Sequence, residues 1–259
     1  MEGGEAASSF RGALYGIIAV MIGGFLLFFV IAVLKPNQLS SYTDYSVPAL
    51  SFLPVISGFL LIKRYSFSSV FGRCFSFLTA ASALWFLGEA LWTVQAKLLG
   101  VELPFPSLSD LFWMCGYIFI GLGVYAMFKL FNPISAMDRR KLVLTLSLTV
   151  AAAAATLILT PLIYEGAPLI ELIIYTWYLV MDVIFLGLLT VIFQTFMGGR
   201  VSRAWLIMIS GLAAIFLADI LFNLATYMDS EIHLLSGDLI YMIGYSLIAL
   251  GFIEHGIEL

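Results

Sequence analysis

The residues of this chain best suited to chemistry are carboxylates set among aromatics. Asp110 and Asp238 each head an apolar run, "SLSDLFWMCGYIFIGLG" (107–123) and "LSGDLIYMIGYSLIALG" (235–251). The two runs share Asp, Leu, Met, Gly, Tyr, Leu and Gly at equal offsets. On a helix, offsets of three, four and seven share a face. Asp110, Trp113 and Tyr117 therefore form one stripe, and Asp238, Tyr241 and Tyr245 form its copy. The likeness continues upstream, where "WFLGEALWTVQA" (85–96) lies over "IFLADILFNLAT" (215–226) and Glu89 falls over Asp219. Trp85, Glu89 and Trp92 make a third stripe, echoed by Ile215, Asp219 and Phe222, with Asn223 one turn beyond Asp219. Glu171, Tyr178 and Asp182 carry the same theme on another apolar segment. Carboxyls among phenols and indoles suit proton exchange or the holding of a small polar ligand.

A purely structural account stands beside this one. Ser107 followed by Asp110 has the spacing of a capping box, and an acid there favours the N-terminal end of a helix dipole. Aromatics one turn deeper fit an interfacial belt. Glu89, Asp182 and Asp219 lie deeper, where an intramembrane acid costs on the order of 2.5–3.5 kcal/mol and is expected to face the bundle interior or water. No Lys or Arg lies at matching depth, so their expected partners are hydroxyls, Asn223, Gln95, Trp or Tyr. Helix–helix hydrogen-bond glue is the competing role for these acids.

Other chemistry is sparse. His233 and His255 fall in a loop and at the C-terminus, where a solvated side chain is expected, so neither a haem nor a metal cage is anticipated. There is no Ser–His or Cys–His arrangement, no phosphate loop and no nucleic-acid motif. We expect no catalytic residue, metal or cofactor.

The elements that must position these groups follow from composition. Hydrophobic residues make up 62% of 259 and charged residues 11%, with a mean hydropathy of +1.07. A soluble domain needs a more charged surface, and the apolar stretches approach the ~20 residues that span a bilayer. Eight segments emerge, at about 13–34, 46–62, 73–97, 109–131, 142–163, 169–196, 204–227 and 238–254. Pro48 and Pro54 predict a kink or an irregular outer end in the second. The fold class expected is an all-α, polytopic bundle of eight transmembrane helices built from helical-hairpin repeats, 73–131 and 204–254. Residues 1–12 and 255–259 are read as cytoplasmic segments flanking the domain at 13–254.

Charge placement orients it. Lys63, Arg64, Arg73, Lys129, Arg139, Arg140, Lys141, Arg200 and Arg203 fall on one side with Arg11, whereas Lys35 and Lys97 fall on the other. The positive-inside rule then makes both termini cytoplasmic. The opposite face is acidic, with Asp44, Glu102, Asp110, Glu165, Glu171, Asp229, Glu231 and Asp238.

"LPFPSLSDLFWMCGY", preceded by "LWFLGEALW", resembles the multi-span input regions of bacterial and archaeal signalling proteins such as histidine kinases and diguanylate cyclases. The likeness is strongest over 85–131 and recurs at 215–251. It implies a sensor in the cell membrane, of a kind whose stimulus is usually unknown, that feeds a cytoplasmic output domain or partner. We expect a receptor-like domain with a small ligand or proton as stimulus and a homodimer as one form. Glu89, Asp110, Tyr117, Asp238 and Tyr245 match its pattern. Two rivals remain at this level: a small secondary transporter using buried carboxylates, and a structural subunit of a membrane complex. The expected pocket opens outward and gathers Glu89, Trp92, Asp110, Trp113, Tyr117, Asp219, Asn223, Asp238, Tyr241 and Tyr245, with Glu171 and Asp182 as further intramembrane acids.

Overall fold

A computed structural model describes residues 2–101, 105–228 and 231–258, with side chains described over 10–101, 105–225 and 235–258. Glu102 and Asp229 lie outside the described residues, as do the side chains of Glu231 and His233. The described chain is helices joined by short connections, without a strand among the described residues, as a backbone in hydrocarbon requires, because each N–H and C=O there must find its partner within the segment. The helices are α1 (Glu2–Leu34), α2 (Leu39–Tyr65), α3 (Val70–Thr93), α4 (Leu108–Phe131), the short α5 (Pro133–Ala136), α6 (Arg139–Ile163), α7 (Leu169–Phe196), α8 (Ser202–Met228) and α9 (Glu231–Glu258). All but α5 are long and apolar enough to cross a membrane, giving eight candidate spans. The chain is a multi-pass membrane protein by this measure.

Packing joins α2 to α3, α3 to α4, α4 to α7, α7 to α8, α8 to α9, and α9 back to α2. Six helices thus close a ring. Helix α1 lies outside it against α2 and α9, and α6 lies outside against α7. The apolar window of α6 has no buried residue, so this helix is the least covered of the eight by its neighbours.

Local signals set the helix ends. The Ser69 hydroxyl accepts the Gly72 amide at 2.8 Å and starts α3. Asp138 caps α6 through the Arg140 amide at 2.7 Å. Asn132, at φ 41°, turns the chain out of α4. Residues 2–12 continue α1 and residues 255–258 complete α9, so both flanks expected outside the spans are helical.

The prolines of α2 lie inside the helix rather than at its end. The helix runs unbroken from Leu39 to Tyr65 with Pro48 and Pro54 inside it. Pro48 has no N–H for the carbonyl four residues back, which is that of Asp44. The Thr93 hydroxyl donates to this Asp44 oxygen at 2.9 Å and re-satisfies it from α3.

Both hairpins α3–α4 and α8–α9 pack on glycine. A Cβ at Gly116 would strike Trp85, and one at Gly244 would meet Ile215 at 2.7 Å. Gly123 likewise receives Leu78, and Gly251 receives Met208. In the register that sets Glu89 over Asp219, Trp85 lies over Ile215 and Leu78 over Met208.

Candidate functional site

The acids are held in one half of the ring by tyrosines from neighbouring helices. Tyr117 on α4 donates to Asp182 Oδ1 on α7 at 2.7 Å. Tyr245 on α9 donates to Glu89 Oε1 on α3 at 2.9 Å, and Tyr241, one turn earlier on α9, donates to Asp219 Oδ1 on α8. Tyr178 on α7 donates to Asp110 Oδ1 on α4 at 2.9 Å. Every one of these bonds crosses between helices. The Asp182 and Asp219 carboxyls also touch each other within hydrogen-bonding reach. The phenols pack as well, with Tyr241 stacked on Tyr245 and Tyr117 stacked on Phe185.

Asp110 has a second task. Its Oδ2 accepts the Ser107 amide at 2.6 Å and the Ser107 hydroxyl at 2.8 Å, so it caps α4 while bonding Tyr178. The capping reading and the cross-helix reading both hold for this residue.

Trp85 sits at the base of the network. Its Nε1 donates to the Trp113 carbonyl at 3.1 Å, and its ring meets those of Tyr117 and Tyr245 edge-on. Trp113 packs on Gly88, beside Glu89, and its own indole N–H is buried without a partner. Asn223 on α8 donates its amide to the Asp219 carbonyl at 2.7 Å, which leaves its side-chain oxygen buried and unpartnered.

The remaining expected residues lie around this centre. Asp238 on α9 lies near Thr43 and Asp44 on α2 and near Lys97, and the Thr43 hydroxyl itself donates to the Ser40 carbonyl at 3.0 Å. Lys97 pairs with Asp44 at 2.9 Å and sits 5.5 Å over the Trp92 ring. Trp92 and Asp238 therefore belong to an outer group with a cation in it, whereas the hydrogen bonds to Glu89, Asp182 and Asp219 among the described residues come from phenols. Glu171 stands in the first turn of α7 beside Tyr175, away from the acid centre. Two participants carried little sequence signal: Thr93, whose value lies in a carbonyl freed elsewhere, and Lys97, which ends up facing the start of α2.

His255 departs from the expected solvated residue. It is fully buried, with Nδ1 2.9 Å from the Tyr65 hydroxyl and Phe75, Phe71, Tyr65 and Trp205 around its ring. Burial follows because α9 continues through this residue, and the Phe10 ring of α1 fits against Gly256. Between this aromatic cage and Trp85 lies an apolar cavity of ≈ 30 Å³, bordered by Leu78, Ala81, Trp85, Trp205, Met208 and Phe252.

Energetics bears on what the acids are for. A hydrogen bond between membrane helices returns about 0.6 kcal/mol on average and up to about 2. That is less than the ~2.5–3.5 kcal/mol that each intramembrane acid costs on insertion. By this measure three buried acids are a more costly way to join helices than neutral hydrogen-bonding side chains. No protein-family model matches the chain, and neither a curated protein nor a solved structure matches it significantly.

Proposed function

We propose that the chain is a membrane-embedded, receptor-like sensor domain whose stimulus, a small ligand or a proton, acts on the acid–tyrosine network. The observation that carries this reading is the cross-helix bonding of Glu89, Asp182 and Asp219. Each acid ties its helix to a phenol on another, so a change in its charge or occupancy changes how the helices are held. In this reading the termini are cytoplasmic and the acidic face is outward. Helices α3–α4 and α8–α9 are repeats, supported by the matching glycine contacts of Trp85 and Ile215 and of Leu78 and Met208. Helix α9 links the two ends, carrying Tyr241 and Tyr245 in the network and His255 in the distal cage. The apolar residues between them, including Phe75 and Phe252, favour a one-sided site over a transport path. A cytoplasmic output domain or partner would read the shift.

The test uses spin labels at Ser68 and Ser135, both exposed at the end that carries His255, on a background without Cys74 and Cys115. The inter-label distance is expected to change across a pH titration and to stop changing in Glu89→Gln and Asp219→Asn. A distance unmoved by pH or by small solutes, with both variants losing only stability, would return the acids to the role of packing glue.

A further inference from the structure

Donor and acceptor accounting in the acid centre leaves one hydrogen missing. Asp182 Oδ1 receives Tyr117 and Asp219 Oδ1 receives Tyr241, which uses both phenol hydrogens. Asp182 Oδ2 is buried with no protein donor, in a side chain only 7% exposed. The Asn223 Oδ1, in a side chain 6% exposed, is also an acceptor without a donor. Yet the two carboxyls touch within hydrogen-bonding reach, and two ionised carboxylates have no hydrogen to place between them. At such contact, like charges also cannot both persist in a medium that screens them poorly.

Among the described residues, the groups facing the pair supply no positive charge. From α4 comes Tyr117, from α9 come Tyr241 and Tyr245, from α3 comes Glu89, and Tyr178 stands on α7 itself. Lys97 is held outside by Asp44 and Trp92. Among the described residues no three His, Cys, Asp or Glu side chains gather in a way that holds a metal ion. A proton needs only the two oxygens that are present.

We propose that Asp182 and Asp219 form a proton-sharing dyad, and that the ligand of this site is a single proton bound between the two carboxyls. Its role as the stimulus rests on the sensor reading above; its existence does not. Binding converts two facing carboxylates into one carboxylic acid donating to one carboxylate, with the added proton as the only atom gained. Tyr117 and Tyr241 keep donating to the outer oxygens and orient the pair.

Infrared difference spectroscopy on the full chain in nanodiscs tests it. A carboxylic-acid carbonyl band that shifts in D2O is expected in the wild type. It should vanish in both Asp182→Asn and Asp219→Asn, where the amide supplies the missing donor, and survive in Glu89→Gln. A band that persists in both Asn variants, or that disappears only in Glu89→Gln, overturns the dyad. Should one Asn variant fail to fold, the other and the wild-type isotope shift decide. Repeating the titration with Na⁺ replaced by K⁺ should leave the midpoint in place; a midpoint that moves with Na⁺ assigns the site to a metal cation and overturns the proton. Because the band is read at the acids and the sensor reading at the distal labels, either can fail without the other.

Discussion

Tyr117 on α4 donates its phenol hydrogen to Asp182 on α7 at 2.7 Å, between two residues each less than a tenth exposed. Removing the phenol leaves a buried carboxyl oxygen with no donor, which costs about 1–3 kcal/mol. Tyr178→Phe also strips a donor from Asp110 Oδ1 but is milder, because the same carboxyl keeps the Ser107 amide and hydroxyl on Oδ2. Tyr117→Phe is therefore expected to lower stability by about 1–3 kcal/mol in reversible detergent unfolding, and Tyr178→Phe by under about 1. Equal losses would mean that the Asp182 bond is not special.

The bond from Thr93 to the Asp44 carbonyl gives a sharper cycle. Thr93→Val orphans a carbonyl that Pro48 has already deprived of its helical donor, at about 1–3 kcal/mol. Pro48→Ala restores an N–H four residues on from Asp44. In that background Thr93→Val is expected to lose most of its cost, and a double-mutant cycle reads the difference. A cost unchanged by Pro48→Ala would show that Thr93 matters for packing alone.

How far these features were legible depends on whether the signal was local. Helical periodicity placed Asp110, Trp113 and Tyr117 on one face, and hydropathy alone marked the eight spans. The choice of tyrosine for each acid was not readable. Tyr117 meets Asp182 and Tyr245 meets Glu89 across 65 and 156 residues, and such partners are set by which helices adjoin in the ring. Pro48 reads locally as a kink or an irregular helix end, and the Asp44 carbonyl that it frees is answered from α3. His255 reads as a solvated end residue, and only the continuation of α9 into the cage of Phe75 and Trp205 buries it.

Topology supplies a test independent of side-chain detail. Ser135 and Ser68 are exposed, and the proposed orientation, drawn from the positive-inside rule, puts both on the cytoplasmic side. Single cysteines there, on a background without Cys74 and Cys115, are expected to resist an impermeant thiol reagent in intact cells and to react after lysis. Labelling of Ser135→Cys from outside would invert the bundle and place the acids toward the cytoplasm.

The cavity beneath Trp85 separates two kinds of buried alanine. Ala81 borders it, whereas Ala249 on α9 is fully buried and does not line it. Adding methyls to a filled interior forces neighbours off their rotamers at about 1–3 kcal/mol. Adding them beside a void instead gains contacts that the lining lacked. Ala249→Val is therefore expected to destabilise by about 1–3 kcal/mol, while Ala81→Val stays near neutral in the same unfolding assay. The comparison also bears on signalling. If Trp85 must move into the space below it when Tyr117 and Tyr245 rearrange, Ala81→Val leaves the dyad's infrared band intact but shrinks the pH-dependent distance change between labels at Ser68 and Ser135. A full distance change in the filled variant would show that α9 transmits as a rigid rod and that the cavity takes no part.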